Sequence, residues 1–145
     1  MPAGFRFWRA TLGSAAMDSQ SAYLRIGAVL GGLAVVIGAF GAHGLDAMMS
    51  DEMAEVFETG VKYHFYHALA ILAIAAGSSS LWSSRLCLWA CRAWTLGIIV
   101  FSGTLYALAL TGNSWLGAIT PIGGAAMIAG WVLLAIAAGS SWETG

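Results

Sequence analysis

Charge sits at the edges of long apolar runs in this chain. No Asp, Glu, Lys or Arg falls between Arg25 and Asp46, between Lys62 and Arg85, or between Arg92 and Glu143. A helix needs about 20 apolar residues to cross a hydrocarbon core about 30 Å thick. The first two gaps therefore hold one crossing each, and the third holds two. The third divides at Thr111–Trp115, where Gly112 and Asn113 supply the turn chemistry that breaks a helix. The pattern predicts four transmembrane helices near 24–43, 61–79, 90–111 and 118–139. Thr120 before Pro121 offers the last helix a second start, as an N-cap with proline in the first turn. Ser114–Ile119 would then be an interfacial link. The short alternating segments of a membrane β-barrel do not occur. The predicted fold is all-α, a polytopic four-helix transmembrane bundle.

Composition supports lipid as the solvent. Of 145 residues, 59% are hydrophobic and only 9% charged, against about 25% charged in soluble domains. A small water-soluble domain could not hide that much apolar surface. A net charge of −1 gives no footprint for nucleic acid. The bilayer is the expected partner, with a homo-oligomer or another membrane protein as further expectations. Basic residues set the orientation. Four spans put Arg6, Arg9, Arg25, Arg85 and Arg92 on one side and Lys62 alone on the other, so both termini are expected in the cytoplasm. Trp82, Trp89, Trp94 and Trp142 are then expected near the cytoplasmic interface, Trp115 near the opposite one, and Trp131 between helices. Residues 1–22 read as a mobile cytoplasmic extension and 23–142 as one transmembrane domain. Met17 offers an alternative start, and cleavage after Ala42 in a signal-peptide reading of helix one is the rival.

One stretch, Glu55–Leu72, gathers polar groups against an apolar run. Ser50 can cap a helix, with Asp51 and Glu52 in the first turn where the macrodipole favours negative charge. Asp51, Glu55, Glu58 and Lys62 share one helical stripe, and Glu58 and Lys62 form an i,i+4 pair. Met53, Phe57, Gly60, His64, His67 and Ile71 fall opposite. An amphipathic extracytoplasmic extension of helix two is expected, with Glu55, Glu58 and Lys62 as interface charges.

Small residues line one face of helix one: Gly27, Gly31, Ala34, Gly38 and then Gly41 or Ala42. In lipid, close backbone approach through small residues drives helix association. Gly103 on helix three and Gly123, Gly124 and Gly130 on helix four are similar positions, suited to an intramolecular bundle or to a dimer face.

Ionisable groups in a membrane are a functional hypothesis by default. His64 and His67 lie at i,i+3, and His43 ends helix one at a similar depth. Three uses are open. Each imidazole is satisfied across helices by a carbonyl, Tyr63, Tyr66 or Ser102; or the three hold a metal or haem iron; or they line a polar cavity with Tyr63, Tyr66, Ser102 and Tyr106 and relay protons. No zinc or haem-attachment spacing, phosphate loop, nucleophile elbow or acid–base pair is visible, so no cofactor, metal or catalytic residue is assigned. Cys87 and Cys91 read as small buried thiols.

"GAFGAHGL" (38–45), "TGVKYHFYHALAIL" (59–72), "FSGTLYALALTG" (101–112) and "LGAITPIGG" (116–124), followed by Gly130-Trp131, resemble the domain of unknown function 423 family, whose animal relatives are called transmembrane protein 256. The resemblance covers about residues 20 to 139 and implies a four-helix integral membrane protein of the bacterial inner membrane. It carries no catalytic residues. The expected function is a non-enzymatic accessory or assembly component. A small transporter or channel with a histidine-lined cavity and a histidine-ligated haem or metal site are the alternatives.

Overall fold

The computed structural model describes the backbone of residues 3–45, 49–77, 82 and 84–140, and side chains from Asp18 to Gly139 within those segments. All regular elements among the described residues are helical. Helix α1 runs Ala3–Phe40 and continues as a π-helical turn, π1 (Gly41–Leu45). Helix α2 spans Asp51–Ala75. Helix α3 (Arg85–Gly97), π2 (Ile98–Ser102) and α4 (Gly103–Thr111) form one continuous rod. Helix α5 spans Leu116–Ser140.

Local chemistry explains the boundaries. The Ser50 hydroxyl accepts the Met53 N–H at 3.3 Å and starts α2, with Asp51 and Glu52 in the first turn as expected. The far end of α2 is closed from outside. The Gln20 side-chain amide on α1 donates to the Ala75 carbonyl at 2.8 Å, satisfying an acceptor that a helix end leaves bare. Ser84 accepts the Leu86 N–H and starts α3, a turn before the expected position near 90. The extra turn adds exposed Arg85 and buried Cys87 to a helix whose next turn repeats the pattern, with Arg92 outward and Ala90 and Cys91 inward. Gly112 ends α4 at φ 69°, a left-handed conformation that glycine adopts without a Cβ penalty.

Other boundaries can be set against the sequence expectation too. Helix α1 begins at Ala3, well before residue 24, because between Gly4 and Tyr23 only Gly13 interrupts the helical pattern, and an isolated glycine is tolerated in a helix. Arg6 and Arg9, and the interfacial position expected for Trp142, lie outside the described side chains. Helix α5 begins at Leu116, close to the expected 118, and Pro121 lies inside it, so the alternative start at Thr120–Pro121 is not used. Pro121 lacks the N–H that the Gly117 carbonyl would accept, a loss that membrane helices tolerate. Here the Thr120 hydroxyl meets the Thr104 hydroxyl of α4 at 2.9 Å and lies 3.2 Å from the Leu116 carbonyl.

Among the described residues three stretches are long and apolar enough to cross a bilayer: Asp18–Leu45, Arg85–Thr111 and Leu116–Gly139. Helix α2 lies alongside the first of these in antiparallel register. A Cβ on Gly27 would meet Leu72 at 2.8 Å, one on Gly38 would meet Val61 at 3.0 Å, and one on Gly41 would run into the Phe57 ring. On its other side α2 packs against π2 and α4, and α5 packs against α3 and π2. The fully buried side chains include Trp94, Ile71, Cys87, Cys91 and Ser102. Trp94 is therefore a core residue and not an interfacial one. Gly130 on α5 leaves the space its indole fills, and Nε1 donates to the Met127 carbonyl at 3.1 Å. Trp82 is likewise buried, against Tyr23. Trp89 and Trp115 are exposed. The outer surface is apolar: Val29, Val36, Phe40, Ile99, Ile122 and Ile128 all point away from the bundle.

Candidate functional site

Helix α2 carries the polar groups and sorts them onto two faces. Phe57, Gly60, His64, His67, Ala68 and Ile71 are buried at helical spacing. Asp51, Glu55, Glu58 and Lys62 are exposed, and Lys62 Nζ pairs with Glu58 at 3.0 Å.

The two buried histidines diverge. His64 Nδ1 meets the Tyr106 hydroxyl of α4 at 3.2 Å. Gly60 makes this approach feasible, since a Cβ there would meet the Tyr106 ring at 2.8 Å. His64 Nε2 has no partner at hydrogen-bond geometry, although the Leu30 carbonyl of α1 faces the ring. Ser102 Oγ, one turn from Tyr106, is also buried without a partner.

His67 is fully committed. The Tyr63 carbonyl can only accept, so His67 Nδ1 must carry the proton and donate across 2.8 Å. Nε2 then holds the lone pair, and the Trp131 indole N–H donates to it at 3.2 Å. A protonated ring would set two N–H donors against each other. His67 is therefore a neutral imidazole, fixed as the Nδ1–H tautomer. Trp94 and Trp131 complete its wall, with ring centroids 4.8 Å apart.

The remaining predicted cluster does not converge. His43, on π1, is exposed. Tyr63 and Tyr66 are 43% and 59% exposed, and Tyr63 packs on Phe101. Among the described residues no three His, Cys, Asp or Glu side chains come close enough to hold a metal ion. A metal or haem iron at His67 would have to displace the Trp131 N–H from the only free lone pair. His67 does not fit that use.

The small residues divide as well. Gly27, Gly38 and Gly41 seat side chains of α2, Gly31 sits 4.0 Å from Ala68, and Ala34 is buried. Gly123 takes the Phe101 backbone, Gly124 the Phe101 ring, and Gly130 the Trp94 indole. Gly103 faces nothing within 4 Å. The sequence reading singled out neither Gly97, pressed against Met127 and the Gly123 carbonyl, nor the Thr104–Thr120 pair. Small-xxx-small spacing across Gly97 and Phe101 is hidden by the bulky residue, so no pattern flagged it. The Trp131–His67 bond joins residues 64 apart, and no local spacing announces it.

Comparison with known proteins places this architecture. The sequence profile of the family "Protein of unknown function (DUF423)" matches residues 37–124. The UPF0382 membrane protein YwdK of Bacillus subtilis is 43% identical over 122 residues, covering 80% of this chain and 94% of the relative. A UPF0382 membrane protein of Haemophilus influenzae is 37% identical over 116 residues, covering 80% and 92%. No solved structure matches the chain. The apolar rods, the glycine-seated packing and these relatives lead to one conclusion: the chain belongs to the DUF423 family of membrane proteins.

Proposed function

We propose that the protein is a four-span component of the bacterial inner membrane, with both termini cytoplasmic, acting as a non-enzymatic accessory or assembly partner for other membrane proteins. The observation that carries the four-span reading is the register of α1 against α2. Gly27 to Gly41, within an apolar span, run beside Leu72 to Phe57. The apolar half of α2 thus shares the depth of α1, and Glu55, Glu58 and Lys62 reach the far interface as an extension. The buried histidines of α2, held by Tyr106, Tyr63 and Trp131, support a packing role over chemistry, and the apolar outer faces of α1 and α5 suit contact with the bilayer. The test has two arms, in a background with Cys87→Ala and Cys91→Ala. Lys62→Cys and Arg85→Cys are labelled with an impermeant maleimide in intact cells and in inverted vesicles; labelling from the same side rejects the topology. Photo-crosslinkers at Val36 and Ile128 are expected to capture a defined membrane protein; recovery of bare monomer from every site rejects the accessory role.

A second reading, a small proton or solute carrier, is favoured by the unpartnered His64 Nε2 and Ser102 Oγ. Proteoliposome flux that is unchanged by His64→Ala would remove it.

A further inference from the structure

The seam between α1 and α2 opens outward as two grooves that share Gly38, Val61 and Lys62. One has a volume of about 430 Å³ and is walled by Val35, Ala39, Phe65 and Tyr66. The other, about 450 Å³, is walled by Gly41, Ala42, Ala54 and Phe57, with the Glu55 and Glu58 side chains at its rim. Together they form an apolar channel of ligand size ending at charged groups. The small side chains of α1 hold it open, since Gly38, Ala39, Gly41 and Ala42 cannot fill it.

The rim has a distinctive charge pattern. Among the described residues the one ion pair is Glu58–Lys62, which leaves the Glu55 carboxylate without a basic partner. The rim therefore carries a net negative charge beside a single ammonium. An anionic headgroup is repelled there. A headgroup bearing both a primary ammonium and a phosphate matches both signs. The Glu58–Lys62 pair is solvent-exposed and so only weakly held, which leaves Lys62 free to turn toward a phosphate.

We propose that the α1–α2 groove binds an aminophospholipid, with its primary ammonium on Glu55, its phosphate beside Lys62, and one acyl chain laid along Val35, Ala39 and Phe65. A primary ammonium donates several hydrogen bonds to a carboxylate. A trimethylated one donates none, so the site discriminates ethanolamine from choline headgroups. This inference rests on the reading that α1 and α2 both lie in the bilayer.

The full chain is reconstituted in vesicles of equal phosphatidylethanolamine, phosphatidylcholine and phosphatidylglycerol, extracted in mild detergent, and the retained lipid is weighed by native mass spectrometry. The ethanolamine lipid is expected at about tenfold enrichment over choline, the size one charge-assisted hydrogen bond supplies. Glu55→Gln is expected to abolish the headgroup preference, and Ala39→Phe, at an exposed groove position, to reduce retention of all three lipids. Equal retention of the three lipids by the unaltered protein overturns the proposal, as does enrichment that survives both substitutions. Comparing headgroups changes nothing in the protein, so the test holds even if a variant fails to fold. Maleimide labelling reads the topology independently. Correct labelling with no headgroup preference sinks this inference alone.

Discussion

At the level of single residues, His67 and Trp131 define what the interior can do. The Trp131 N–H occupies the His67 lone pair, so any zinc-dependent rise in melting temperature should be the same in His67→Ala as in the unaltered protein. A rise that the His67→Ala variant loses would contradict the tautomer assignment. Trp131→Phe keeps an aromatic ring but removes the N–H donor together with the pyrrole half of the indole, which packs on Trp94. Interhelical hydrogen bonds in membranes contribute about 0.6 kcal/mol on average and at most about 1.7, so this variant should lose at least that much stability in a reversible detergent unfolding assay. Glycines give a sharper contrast. Gly123→Ala would drive a Cβ into the Phe101 backbone and should cost at least the 1–3 kcal/mol typical of overpacking, roughly. Gly103→Ala meets open space and should stabilise by up to about 1 kcal/mol through helix propensity alone. Equal effects at the two positions would refute the packing described.

The elements show which parts of the fold were legible in the sequence. Charge gaps and Gly112 located the rods, because a lipid-crossing helix must be nearly free of charge and must end where its backbone can turn. The Ser50 cap and the two faces of α2 followed from helical periodicity. Lengths were less legible. Between Gly4 and Tyr23 the chain has no proline and only the isolated Gly13, so α1 runs on to Ala3, and no rule of span length could reveal that. The alternative start at Thr120–Pro121 goes unused, because the Asn113, Ser114 and Trp115 carbonyls accept the Leu116, Gly117 and Ala118 N–H groups and open α5 earlier. Trp94 misled as an interfacial anchor, because only the distant Gly130 makes room for it. Of the candidate site, the burial of His64 and His67 was legible from their shared face with Phe57 and Ile71. Their partners were not, since Tyr106 and Trp131 come from other rods. Ser50→Ala removes the cap of α2 and should cost about 1 kcal/mol, with amide exchange accelerating at Met53 and Ala54 before any change near Ile71.

Considered as a whole, the molecule is fastened unequally at its two ends. At one end the Gln20 amide holds the Ala75 carbonyl at 2.8 Å, and Trp82 packs between Tyr23 and the core. At the other, the seam closes by shape alone, since a Cβ on Gly41 would run into the Phe57 ring, and the groove beside Glu55 and Lys62 lies outside that contact. One end is tied by a directional bond and the other only by fit, so a bulkier residue at Gly41 would spring the second end apart while the first stayed tied.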